Sequence, residues 1–316
     1  MVNLGRDTVY RSYSYLRVMT HFFDAVPTTL GSLAALFENL LFPLLLIEIV
    51  WFWRTKRLGR PKVKEMLANA SSLLLVIPAG LIGVFVWFSL FEAIQGLVPW
   101  QIPVTWVSAV IGLVLVDLVY YLEHRFEHTH RLPWDLYHSV HHSSPDFNQT
   151  TSLRLSGFDA LLTIGYLTPL VVVGFEPELV LLAYGLVVGY QTWIHTELIN
   201  KMPPWFEFVF NTPSHHRAHH GSEEHDLDAN YGGILIVWDR LFGTFKPETN
   251  RPVYGLTTQI ESSNPIDVQF SEVRKLWQDL RNDRRWGTRL QRLWEDPGWQ
   301  PAAPVSEALT TAEVGS

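Results

Sequence analysis

Residues 104–128 read VTWVSAVIGLVLVDLVYYLEHRFEH, an apolar run broken only by Asp117 that leads straight into His124 and His128. About 20 apolar residues in a row are what a helix needs to cross the hydrocarbon of a bilayer. Histidines at i and i+4 stand one above the other on a single helix face. The stretch therefore predicts a membrane helix whose end carries a pair of candidate metal ligands.

Working outward, further apolar stretches run over Gly31–Trp53, Ser71–Gln95, Asp159–Gly174 and Leu179–Ile194, with Val104–Leu122 as the third in order. The last two are joined by the short turn Phe175-Glu176-Pro177-Glu178, and Asp159–Gly174 is short enough for a hairpin that only partly crosses. The expected fold is all-α: a multi-pass transmembrane bundle of about four to five membrane segments with a histidine-rich di-metal cap on the cytoplasmic side. In this reading residues 1–30 are an N-terminal segment without the pattern of a cleavable signal peptide. Residues 31–295 form the integral-membrane domain, and the Pro-, Ala- and Thr-rich residues 296–316 read as a disordered tail. Phe270–Trp294 reads as one basic amphipathic helix, suited to the membrane surface or to the protein's own polar domain.

Loop charge sets the orientation. Arg54, Lys56, Arg57, Arg60, Lys62 and Lys64 follow the first span and, by the positive-inside rule, face the cytoplasm. The uncharged loop Gly96–Pro103 then lies outside, and counting spans onward puts every histidine cluster on the cytoplasmic face.

Composition narrows the chemistry. The chain has 316 residues, 47% hydrophobic and 17% charged, with a net charge of −7 and no cysteine. The absence of Cys excludes disulfides, thiolate-ligated haem, cysteine-ligated iron–sulfur clusters and cysteine nucleophiles. The modest negative charge gives no support to a nucleic-acid partner. All but one of the 13 histidines fall between His124 and His225.

Those histidines are patterned. After His124 and His128 come His138, His141 and His142, and then His216, His219 and His220 in the same i, i+3, i+4 spacing. In such a triplet the adjacent residues are able to point at two neighbouring metals. Imidazole suits Fe, Zn, Cu and Ni. A structural zinc is satisfied by four ligands, whereas this set has enough nitrogens for two ions, and H-E-x-x-H is absent. A pair of redox-active irons binding dioxygen fits the set best. A membrane zinc-dependent lipid hydrolase and a metal transporter are the alternatives, and a transporter requires more polar groups within its spans than Asp117 alone.

The stretches Tyr120–Arg125, His138–Arg154 (HSVHHSSPDFNQTTSLR), Trp193–Glu197, Asn211–His220 (NTPSHHRAHH) and Asn230–Phe245 (NYGGILIVWDRLFGTF) resemble the fatty acid hydroxylase and sterol desaturase superfamily, most closely its alkylglycerol monooxygenase branch. The resemblance runs from about Asp117 to Trp299 and implies an O2-dependent lipid hydroxylase or desaturase. It also implies two iron ions held by His124, His128, His138, His141, His142, His216, His219 and His220, with His195 as a further ligand from a transmembrane helix. His215, His130 and His225 are expected outside the ligand set, and His21 is remote. Asp117 is expected to orient a ligand imidazole. Asn148 and Asn230 are candidate active-site residues within the motifs, and Arg154, Tyr231 and Asp239 are read as shaping loops around the metals.

One departure stands out. The alkylglycerol branch leads us to expect Glu after the second histidine of the first cluster, where this chain has Thr129, with Glu127 standing before His128 instead. That puts tetrahydrobiopterin as electron donor in doubt, and a redox partner protein is the other source. The chain carries no G-x-G-x-x-G flavin-binding motif after a strand, so the reductant must come from outside. The other partner implied is a membrane lipid as substrate.

Overall fold

A computed structural model describes residues 28–301. The N-terminal segment up to Pro27, His21 within it, and the tail beyond Pro301 lie outside the described residues. Among the described residues the chain is helical, and only isolated β-bridges join Phe210 to Leu235 and Gly221 to Tyr254.

The elements that position the site are α1 (Thr28–Arg54), α2 (Arg60–Ser71), α3 (Leu73–Gln95), α4 (Trp106–Thr129), α5 (Pro177–Ile194), α6 (Pro213–His219), α7 (Pro265–Asn282) and α8 (Trp286–Trp294). Helix α4 starts at a capping box in which the Thr105 hydroxyl accepts from Ser108 N and the Ser108 hydroxyl accepts from Thr105 N. It outruns the apolar stretch by two turns, which carries His124 and His128 beyond the apolar segment on the same rigid rod. Between α3 and α5 the chain winds through short helical pieces, Gly157–Leu162, Thr163–Leu167 and Thr168–Val173. Helix α3 lies tightly on the first of these. A Cβ at Gly83 would stand 2.5 Å from the Ala160 carbonyl oxygen, so glycine is required for that approach.

Phe91, Val116, Leu167, Val171, Phe175, Leu179, Val180 and Val187 pack between α3, α4, α5 and the winding segment as the apolar core. The outward faces are apolar too: Leu74, Leu81 and Phe85 on α3, and Val107, Val110 and Ile111 on α4, are exposed. In water this surface would exceed the apolar patch a monomer normally tolerates. In lipid it is the expected exterior, because helices satisfy their own backbone hydrogen bonds. Among the described residues two helical runs, Arg60–Gln95 and Trp106–Thr129, are long and apolar enough to cross a membrane.

The single amphipathic helix expected over Phe270–Trp294 is two helices. Helix α7 ends at Asn282, and α8 begins at Trp286. The break arises because Arg292 of α8 reaches back to both Asp283 and Asp279, folding α8 against α7. Arg131 Nη2, just beyond α4, donates to Asp279 (2.6 Å) and ties the pair to the histidine-bearing region.

Candidate metal centre

Each histidine cluster owes its geometry to a local device. His124 and His128 share one face at the end of α4. His138 closes a π-helical turn, Trp134–His138, which runs directly into the short helix Ser139–His142. Single π-turns of this kind concentrate at functional sites, because they re-aim a side chain without ending the helix. His216 and His219 lie on α6, which is started by Pro213 at its first turn, and His220 caps its end. His195 caps the end of α5.

The structure gathers all nine expected ligands, buried, into two groups. His124, His128, His138, His142 and His219 offer nitrogens within 4.8 Å of one another, and so do His141, His195, His216 and His220. The neighbours His141 and His142 go to different groups, as do His219 and His220. His215 stands apart with its ring against Phe245, His130 lies against Trp294, and His225 pairs with Asp226.

Hydrogen bonds at the outer nitrogens dictate the tautomers. Nδ1 of His124 faces the Tyr231 carbonyl oxygen (2.9 Å), that of His219 the Ala229 carbonyl (2.8 Å) and that of His195 the Gln191 carbonyl (2.8 Å). His141 Nδ1 faces the Arg154 carbonyl (3.2 Å), and His138 Nδ1 faces Glu127 Oε2 (2.8 Å). The four carbonyl oxygens only accept, so on His124, His219, His195 and His141 Nδ1 carries the proton and Nε2 presents a bare lone pair, and His138 does the same where Glu127 is ionised. The Nε2 atoms of His124 and His138 are nevertheless 3.1 Å apart, and those of His195 and His141 3.2 Å. Two lone pairs at that separation repel each other, and a cation between them turns repulsion into ligation. With metal–nitrogen bonds of about 2.0–2.1 Å, neighbouring ligand nitrogens stand about 3.0–3.4 Å apart. The Nε2 atoms of His142 and His219 are buried without a partner, a costly state that the same ion relieves. Burial, the largest cause in each case, pushes His138, His141 and His219 down to about 3, so all three are neutral at pH 7 and ready to ligate. The residues present therefore fit two metal ions.

The loop that supplies two of those carbonyls is itself clamped. Asp117, expected to orient an imidazole, instead accepts from the backbone N–H of Ile234 (2.7 Å) and Leu235 (3.1 Å) and from Trp238 Nε1 (2.9 Å). Asp239 accepts from the N–H groups of Tyr231 and Gly232. Asn230, in the left-handed region at φ 60°, donates to the carbonyls of His215 and Lys246 and accepts from Lys246 N. Gly233 is forced by contact, since a Cβ there would meet Val187 and Asp117 at under 3 Å. Asn148 caps the 3-10 turn Gln149–Leu153 through Thr150, and Arg154 follows that turn. The side-chain hydrogen bonds described for Asn148 and Asn230 thus go to the loops themselves.

Sequence reasoning did not identify Glu127 as the partner of His138. Its i, i+3 spacing from His124 was the available signal. The Glu127→Ala variant is expected to bind metal about 10–100-fold more weakly, the usual cost of removing a ligand's outer partner, with a smaller loss for Glu127→Gln, whose amide oxygen still accepts. Chelator competition measures this, and equal affinity in Glu127→Ala would mean the carboxylate only fills space.

Two cavities reach the histidines and share no lining residue. One, of about 290 Å³, touches His138, His141 and His195 and is walled by α3, α4, α5 and the winding segment. The other, of about 530 Å³, touches His128, His142 and His219 and is lined by Arg131, Asp135, Asp228, Glu272 and Lys275 among others.

Residues 109–244 match the family described as fatty acid hydroxylase. The chain is 35% identical to alkylglycerol monooxygenase of Homo sapiens over 273 residues, covering 83% of this chain and 58% of that protein. It is 39% identical to the Xenopus tropicalis alkylglycerol monooxygenase over 65% of this chain and 45% of that one. It is 31% identical to the ornithine lipid hydroxylase OlsE of Rhizobium tropici, over 48% of this chain and 46% of the relative. The chain thus spans about half the length of the curated relatives it matches. No solved structure matches it. The stretch 109–244, which carries both histidine groups at the end of apolar helices, matches the fatty acid hydroxylase family.

Proposed function

We propose that the chain is a membrane-bound di-iron monooxygenase that hydroxylates a C–H bond of a lipid. The observation that carries this reading is the division of nine buried imidazoles into a five-nitrogen and a four-nitrogen group with lone pairs turned inward. Two irons held there would supply dioxygen activation, with one oxygen atom entering the lipid and the other leaving as water. The relatives named as a monooxygenase and a lipid hydroxylase support the reaction class.

The chain's own residues bind, orient and keep water out. Outer hydrogen bonds fix five rings, and Phe147 stacks on His195 while Trp134 covers His128 and His142. The cavity on His138, His141 and His195 includes Val84 and Val188, which are exposed among the apolar faces, so a lipid tail reaches it sideways from the bilayer. The other cavity, with its charged lining, is the approach for an external reductant, either a diffusible donor such as a pterin or a partner protein.

In the membrane, α1, the Gly157–Val173 region and α5 join the two long apolar runs as a bundle of four to five segments. The histidine site then faces the cytoplasm. Support comes from the basic segment after α1: Lys62 pairs with Asp146 (2.7 Å) and Arg57 approaches Glu197 (3.7 Å), so the positive charges and the histidines share one side.

The test is metal analysis of protein purified without oxygen, followed by turnover with reductant and labelled dioxygen. One iron for each histidine group and a lipid product carrying one labelled oxygen are expected. Loss of hydrogen without added oxygen would make the enzyme a desaturase. Retained zinc with oxygen-independent lipid cleavage would overturn the reading.

A further inference from the structure

The cavity on His138, His141 and His195 has an unusual lining for a space inside apolar helices. Three carboxylates face it, Glu123 and Glu127 from α4 and Asp159 from the winding segment, and no Lys or Arg lines it among the described residues. Glu127 is engaged by His138. Glu123 is 4% exposed, and its Oε2 is buried without a hydrogen-bond partner. Of the hydroxyls nearby, Tyr120 donates to Gln191 Oε1, Tyr184 to Thr163 Oγ1, and Thr163 to the Asp159 backbone carbonyl. No Lys or Arg pairs with Glu123 or Asp159 among the described residues.

Carboxylates removed from water carry a heavy cost unless paired. A hydroxyl group offers one proton and no charge, whereas an ammonium offers several N–H donors and a positive charge to match. Tyr120 and Tyr184 add ring faces of the kind that attract a cation. The apolar remainder of the wall, Val84, Leu155, Ile164 and Val188, suits the adjoining hydrocarbon.

We propose that this cavity selects a lipid bearing a protonated primary amine, with Glu123 and Asp159 holding the ammonium while the carbon to be oxidised lies beside His138, His141 and His195. The inference rests on the oxygenase reading and adds the substrate class to it. Glu123 and Asp159 are positioning residues that set where the lipid stops along the cavity.

The experiment compares two lipids of identical chain, one with a free primary amine and one N-acetylated. Binding to the anaerobic, metal-loaded protein in nanodiscs is measured first, then turnover with reductant and dioxygen. The amine is expected to bind and turn over with kcat/KM about 100-fold above the acetylated lipid, the difference lying mainly in KM, as for a buried charge pair losing one partner. The Glu123→Gln/Asp159→Asn double variant, checked for unchanged iron content, is expected to lose that preference. Equal binding and equal kcat/KM for the two lipids in the native protein would overturn the inference and leave the oxygenase reading intact. A preference that survives in the double variant would overturn it as well. Selective binding of the amine without any oxidised product would sustain the ammonium site while sinking the oxygenase reading.

Discussion

The His195→Ala variant is expected to bind one metal ion fewer per chain than the native protein and to lose more than about 100-fold in turnover. Removing a residue that merely orients a ligand costs about 10–100-fold in metal affinity or activity, so removing the ligand itself should exceed that range. His195 belongs to the smaller group, and its Nε2 lies 2.8 Å from that of His216 and 3.2 Å from that of His141. Without it the group keeps three nitrogens, and the bare lone pair of His141 has lost its nearest neighbour. The five-nitrogen group shares no ligand with it and should keep its ion. Metal content and turnover measured on one preparation test this, and full metal content with full activity would remove His195 from the ligand set.

Replacing Arg154 with methionine is expected to destabilise the folded chain by about 3–5 kcal/mol, the cost of leaving a buried carboxylate without its partner. Arg154 is 1% exposed and donates to Glu65 Oε1 (2.6 Å), Asn69 Oδ1 (2.8 Å), Ser143 Oγ (2.8 Å) and the carbonyls of Val140 and Ser143 (3.2 Å each). One guanidinium thus joins α2 to the turn that follows His142, while its own carbonyl accepts from His141 Nδ1. A lysine has no planar fork and reaches fewer of these acceptors, so Arg154→Lys should also be destabilising. The Arg154→Met/Glu65→Met pair should recover part of the loss, because no buried charge is left alone. Unfolding in detergent measures both. A change in Arg154→Met within about 0.5 kcal/mol, the range of an ordinary surface substitution, would show that the network contributes nothing.

The legible parts of this chain were those in which residue type and spacing carry the chemistry. Imidazoles at i, i+3 and i+4 announce a ligand set because few other roles need them together, and long apolar runs announce their helices. Backbone groups leave no such trace. The carbonyls of Ala229, Tyr231, Gln191 and Arg154 set four tautomers, yet any residue offers a carbonyl, so no side chain reveals them. Asp117 stands out in the sequence as an ionisable group in an apolar run, but its partners lie more than a hundred residues later, in the loop that begins near Asn230. The break between α7 and α8 was hidden for a similar reason. Amphipathic spacing continues across Asp283, and only the return of Arg292 to Asp279 and Asp283 shows that the chain turns. Glu123 carries no signal of its own in the sequence, because Asp159, which lines the same cavity, lies far along the chain.

The two cavities have no residue in common, one touching His138, His141 and His195 and the other His128, His142 and His219. Traffic through the cage therefore need not queue. A greasy chain held on one flank leaves the other flank free for a polar visitor, so neither has to depart before the other arrives. In steady-state terms the proposed function then predicts that neither lipid nor reductant inhibits competitively against the other.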